Sequence, residues 1–100
     1  MADKVTKYTL IDSVHEKTGI EKKVIQNVLE SFLDQIKDSL KNKSTIELRS
    51  FGTFELRLRK EKKSARNPKT GEIVKVKPHY VAAFRSGQEL KKSLWDLPQN

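Results

Sequence analysis

Nine basic residues, Arg57, Arg59, Lys60, Lys62, Lys63, Arg66, Lys69, Lys75 and Lys77, fall in one stretch whose only acids are Glu61 and Glu72. That stretch carries +7 of the chain's net +8, leaving +1 for all the other residues. Charge spread evenly belongs to a solvated surface, whereas charge gathered in one segment is an electrostatic footprint for a polyanion. Inside the same stretch Asn67-Pro68 and Thr70-Gly71 are turn dipeptides. Cations therefore flank a proline ring that is rigid, apolar and free of any N–H needing a partner.

Other chemistry is poorly supported. Glu30, Asp34 and Asp38 share a helix face at spacing four, but Lys37 and Lys41 follow the two aspartates by three residues. That pattern reads as a solvated charged face rather than a metal or acid/base site. His15 and His79 stand apart in sequence, and no serine–histidine–carboxylate grouping or glycine-rich phosphate loop is present. An enzyme is not expected, nor a cofactor, metal or small-molecule substrate. With no cysteine, disulfides, thiolate metal ligands and thiol nucleophiles are excluded. No segment approaches the roughly 20 apolar residues of a membrane span. Residence in the cytoplasm is the expectation.

The elements that must carry these residues follow from hydrophobic period. Leu10, Ile11 and Val14 predict a short first helix from Thr6 to about Thr18, with Thr6 as N-cap and Gly19 as a left-handed stop. Two rows, Val24-Val28-Phe32-Ile36-Leu40 and Ile25-Leu29-Leu33, predict a long second helix from Glu21 to Leu40 with a broad apolar stripe. After Asn42-Lys43-Ser44 the period becomes two. Ile46, Leu48, Phe54, Leu56 and Leu58 alternate with charged residues, predicting two strands joined tightly at Ser50-Phe51-Gly52-Thr53.

From Lys60 to Gly71 apolar residues almost vanish, so this segment cannot be core. Ile73, Val74 and Val76 resume a weak strand, and Val81 to Phe84 reads as a short buried run. Ser86 with Glu89 forms a capping box that predicts a third helix to about Trp95. Trp95 is expected to pack the helix end, and Phe32, Phe51, Phe54 and Phe84 to form core and dimer interface.

If roughly 20 residues project as an arm, about 80 remain to bury a core, which is marginal without disulfide or metal. The second helix's stripe is also wide for one three-stranded sheet to cover. Both points favour an intimate homodimer over a marginal monomer.

At Phe51-Gly52-Thr53-Phe54, Ala65-Arg66-Asn67-Pro68-Lys69-Thr70-Gly71-Glu72 and Ala83-Phe84-Arg85-Ser86-Gly87, the sequence closely resembles the HU and integration host factor family of bacterial histone-like proteins. The likeness runs from about Thr6 to Leu94. It implies one α+β domain over residues 1–100: a two-helix base, a three-stranded antiparallel sheet, a β-ribbon arm over about 57–77 and a short C-terminal helix, intertwined as a dimer. The short extension over about 95–100 lies beyond the shorter HU pattern. The family commonly has proline where this chain has Ser86, so a hydroxyl cap is expected there.

The resemblance implies a DNA-bending protein of the bacterial nucleoid whose arm-tip proline, here Pro68, wedges between base pairs. Minor-groove binders use such apolar wedges to kink the duplex. Arg66, Asn67 and Lys69 would sit beside the wedge in the narrow groove. Arg57, Arg59, Lys60, Lys62, Lys63, Lys75 and Lys77 would meet phosphates, as would a second set on the body: Lys7, Arg85 with the Gly87 backbone, Lys91 and Lys92. Two other readings compete, an RNA- or ribosome-associated basic protein and an interaction domain for acidic partners. No aromatic residue lies between Lys60 and Val76, which disfavours the first. Site-specific and non-specific binding, and homodimer and heterodimer, remain open at this level.

Overall fold

The structure, a computed structural model, describes residues 3–99, apart from the side chains of residues 62–65. Its local contacts divide the chain into two units, Met1–Asp38 and Ser39–Asn100. The first holds α1 (Lys7–Thr18) and most of α2 (Lys22–Lys41). Thr6 caps α1 as expected, its hydroxyl accepting from the Thr9 N–H at 3.3 Å. Gly19 ends α1 with φ +74°, a left-handed position that glycine occupies without a Cβ penalty. Among the described residues Ile11 and Ile25 are the only buried hydrophobic side chains. Val14, Ile20, Val24, Ile25, Val28, Leu29 and Phe32 line an open, apolar groove of about 320 Å³.

In the second unit α2 ends without glycine. Lys43 takes the left-handed position with φ +63°, while its N–H donates to Leu40 O and that of Ser44 to Ser39 O, each at 2.9 Å. This double closure satisfies carbonyls that a helix end leaves orphaned. The chain then forms β1 (Ile46–Leu48), β2 (Gly52–Arg59), β3 (Lys62–Arg66), β4 (Ile73–Val76), β5 (His79–Ser86) and α3 (Gln88–Trp95). Strands β1, β2 and β5 make a three-stranded antiparallel sheet in the order β1-β2-β5, and β3 pairs with β4 in a separate ribbon.

The β1–β2 connection is tighter than the sequence suggested. The turn is Arg49-Ser50-Phe51, with Ser50 at φ +72°, and Gly52 and Thr53 already belong to β2. Gly52 is needed for packing, not for the turn: a Cβ there would lie 2.5 Å from Phe84 Cε1 and Cζ and 2.7 Å from Arg85 O. The Phe84 ring, seated over Gly52, stands 5.2 Å from that of Phe51 and 5.0 Å from that of Phe54.

Three expectations are corrected. Val81 to Phe84 is not a buried run: pairing in register with Arg57 to Phe54, it alternates between the two faces of the sheet, with Val81 and Ala83 half-buried on one and Phe84 41% exposed on the other. Ser86 does not cap α3. It is the last residue of β5, paired with Gly52, and Gly87 is the N-cap with no side-chain bond, so Ser86 is held by the strand ladder one position too early. Trp95 does not pack the helix end, being 85% exposed. At about 100° per residue it lies some 140° round the helix from the half-buried Leu90.

Gly52→Ala should lower stability by about 1–3 kcal/mol, the usual cost of forcing extra volume into a packed contact. Thermal or urea unfolding at fixed protein concentration reads this directly. An unchanged midpoint would mean that Phe84 does not rest on Gly52.

Candidate nucleic-acid interface

Alternation along β2 and β5 sorts charge from apolar surface. Arg57 pairs with Val81 and Arg59 with His79, while Phe54, Leu56 and Leu58 on the other parity pair with Phe84, Ala82 and Tyr80. Directly paired residues share a face, so Arg57 and Arg59 lie on a face separate from the aromatic cluster, both exposed. Arg85 also lies on that parity, but its Nε stands 3.3 Å from Glu55 Oε1. That oxygen accepts no aligned hydrogen bond, so the contact is an ion pair without directional support.

The ribbon continues the sheet's register before departing from it. Lys62 pairs with Val76, where the β2–β5 pairing carried forward would put it. The same register sets Lys60 opposite Pro78 and Glu61 opposite Lys77, and there the ladder breaks, since proline has no N–H to give. Between Lys62 and Ala65 the register shifts by one, after which Ala65 pairs with Val74 and Arg66 with Ile73. A one-residue slip moves every later side chain to the opposite face. Arg66 thereby joins the face of Ile73 and Lys75; unshifted, it would have faced Glu72 on the side of Val74 and Val76. The strand backbone at Lys62 and Lys63 is part of β3, but their side chains lie outside the described residues.

The hairpin tip is closed by its own groups. The Asn67 N–H donates to Glu72 O and the Gly71 N–H to Asn67 O, both at 2.7 Å, with Gly71 at φ +75°. Asn67 Oδ1 accepts from the Lys69 N–H at 2.9 Å and Thr70 Oγ1 from the Glu72 N–H at 3.2 Å. Pro68 and Lys69 are exposed, and Asn67 is half-buried. Exposed cations thus run up to an exposed proline on a turn whose backbone is already fixed.

The body residues are more committed than their sequence suggested. The Gly87 N–H donates to Phe51 O at 2.9 Å, which occupies the amide expected to face a phosphate. Lys91 and Lys92 line a shallow cleft with Trp95 and Asp96. Arg49 was not signalled, because it stands outside the charge run; the β1–β2 turn places it in a cleft with Ser50, Gly87 and Gln88, beside Glu47 and Glu89. Among the described residues no group of three or more histidine or carboxylate side chains could hold a metal. No helix among the described residues is long and apolar enough to cross a membrane.

Lys7 Nζ donates to Glu30 Oε2 at 3.0 Å, and Gln26 Nε2 approaches the same oxygen at 3.4 Å. Glu30 therefore pairs with Lys7 instead of belonging to a uniformly solvated face. The hydrogen bond and charge of Glu30 raise the Lys7 pKa, and the bonds from Lys7 and Gln26 lower that of Glu30. The pair's contribution is then intact across neutral pH. It is lost as pH falls through the depressed Glu30 midpoint, and again as pH rises through the elevated Lys7 midpoint. Lys7→Met should move the Glu30 midpoint upward in a carboxyl NMR titration, and an unmoved midpoint would show that the pair does not form in solution.

The bacterial DNA-binding protein family model matches residues 5–94. The chain is 37% identical over 94 residues to integration host factor subunit alpha of Aliivibrio salmonicida, covering 94% of this chain and 95% of that one. It is 40% identical over 88 residues to the same subunit of Mannheimia haemolytica, covering 88% of each. Among solved structures, the Anabaena HU–DNA cocrystal matches with a TM-score of 0.80 at 32% identity, over 93% of this chain and all of that one. An HU variant from Thermotoga maritima matches with a TM-score of 0.67 at 27% identity, over 90% and 99% of the two chains. With a β2–β5 sheet that sets Arg57 and Arg59 apart from the aromatic cluster, a cation-bearing ribbon tipped by an exposed proline and a family match over residues 5–94, the chain belongs to the bacterial DNA-binding protein family of HU and integration host factor.

Proposed function

We propose that this chain is a DNA-architectural protein that acts as a homodimer, laying two β3–β4 ribbons into the minor groove of duplex DNA and bending it. The observation that carries the reading is the ribbon itself: Arg66 and Lys75 on one face, Lys69 beside the tip, and Pro68 exposed at its end. Likeness to the Anabaena HU chain, which was crystallised with DNA, supports DNA as the ligand. Arg57, Arg59, Lys60, Lys62, Lys63, Lys75 and Lys77 serve phosphates, which fix position without reading sequence. Arg66 and Lys69 enter the groove beside the wedge. Lys91 and Lys92 extend the phosphate path on the body, and Lys7 and Arg85 join it only by exchanging Glu30 and Glu55 for phosphate. The protein works as a single domain in the bacterial nucleoid, without catalysis or cofactor.

Dimerisation is part of the proposal because the chain alone exposes Val28, Phe32, Phe51 and Phe84 at 41–64%. A second copy is the partner that hides such a surface from water. Sedimentation at micromolar concentration and moderate salt should show a dimer with no folded monomer. A stable folded monomer under those conditions overturns this part.

Bending is separated from adhesion by substitution at the tip. Pro68→Ala keeps every charge, so it should reduce the bend angle at saturation and the preference for nicked or pre-kinked duplex more than affinity for straight DNA. Arg66→Ala and Lys69→Ala should weaken binding to every duplex, each lowering the slope of log affinity against log salt by about 2, since both ribbons of the dimer lose a cation. Fluorescence transfer between the ends of one duplex, with gel shifts on straight and nicked DNA and on single-stranded RNA, reads all three variants. Full bending by Pro68→Ala would reduce the arm to a charged clasp. Tighter binding to RNA than to any duplex would favour an RNA-binding role.

A further inference from the structure

We infer that Asn67 is a positioning residue for Pro68, not a groove-reading one: its side-chain oxygen is spent on the turn that presents the proline. This rests on the wedge reading above. A backbone N–H can only donate, so the Asn67 atom facing the Lys69 N–H at 2.9 Å is the carboxamide oxygen. That bond spans Pro68, whose own ring already fixes φ. The Asn67 N–H and carbonyl are used as well, on Glu72 O and the Gly71 N–H. Three of the residue's polar groups thus close the tip around the exposed proline, while Asn67 itself is half-buried. Thr70 repeats the device on the other side by accepting from the Glu72 N–H.

The consequence is preorganisation. A wedge that must be ordered as it enters the base stack loses affinity for the kinked state, and one held in place beforehand does not. Loss of one such bond weakens the favoured state by about two- to twelvefold. Asn67→Ala should therefore reduce the preference for pre-kinked over straight duplex by about that factor and lower the bend angle at saturation, leaving the salt slope unchanged. Asn67→Asp, which keeps an oxygen acceptor for the Lys69 N–H, should restore the bend at saturation even though its charge weakens binding to every duplex. In a Pro68→Ala background, Asn67→Ala should have no further effect on the bend, because a residue acting only through the proline has nothing left to position.

The experiment measures bend angle by fluorescence transfer for the two Asn67 variants, Pro68→Ala and the double variant. Exchange of the Lys69 amide in the free protein is followed alongside, and should quicken in Asn67→Ala but not in Asn67→Asp. Equal loss by Asn67→Ala and Asn67→Asp, additive with Pro68→Ala, would assign the carboxamide NH₂ to the groove and overturn the inference. Full bending by Asn67→Ala would overturn it too. If Pro68→Ala alone bends fully, the wedge reading has failed and the inference falls with it. If Pro68→Ala relaxes the bend and Asn67→Ala does not, only the positioning role has failed.

Discussion

One chain leaves much of its apolar surface open to water, and the rest of the structure depends on that shortage of cover. Among the described residues Ile11 and Ile25 are the only buried hydrophobic side chains, while the groove of Val14, Val24, Val28 and Phe32 and the rings of Phe51 and Phe84 stay open. Burial stabilises by about 25 cal/mol per Å² of apolar surface, so surface left in water contributes nothing. The ribbon deepens the shortage, since the segment from Lys60 to Gly71 holds almost no apolar residue. In the proposed dimer the two features are one design: the second copy supplies the core that the ribbon does not.

The ribbon turns the alternation that builds the body to another use. In β2 and β5 period two sends Phe54, Leu56 and Leu58 to one face and Arg57 and Arg59 to the other. Past Pro78, where a ladder bond is missing, no core holds that register in place. The shift between Lys62 and Ala65 then brings Arg66 to the face of Lys75. Like charges on one face repel each other, a cost that neutralisation by phosphate removes. The ribbon is therefore most comfortable against a polyanion.

Turns outside the regular elements are settled by local bonds more than by residue type. Lys43 and Ser50 both hold positive φ, a conformation costing a non-glycine residue roughly 1–2 kcal/mol. At Lys43 the two closing bonds to Leu40 and Ser39 offset that cost. At Ser50 the turn delivers Phe51 to Phe84 and its carbonyl to the Gly87 N–H. Gly52 and Gly87, whose residue type suggests flexibility, instead make room for Phe84 and for the Phe51 carbonyl.

The helices, the strand parity, the apolar stripe of α2 and the segregated charge were legible in residue order, because each depends on neighbours within a few positions. Thr6 and Gly19 bound α1 as their types require, and the Lys60–Gly71 segment could not be core. The register shift that places Arg66, the seating of Phe84 on Gly52 and the bond from Lys69 to Asn67 were not legible, since each depends on which residues meet across strands or a turn. Ser86 shows the difference plainly. As a residue type three before a glutamate it is a helix cap, but pairing with Gly52 holds it in β5 and passes the cap to Gly87. Ladder bonds fix backbone that local propensity would spend elsewhere, and only the folded chain decides which of the two prevails.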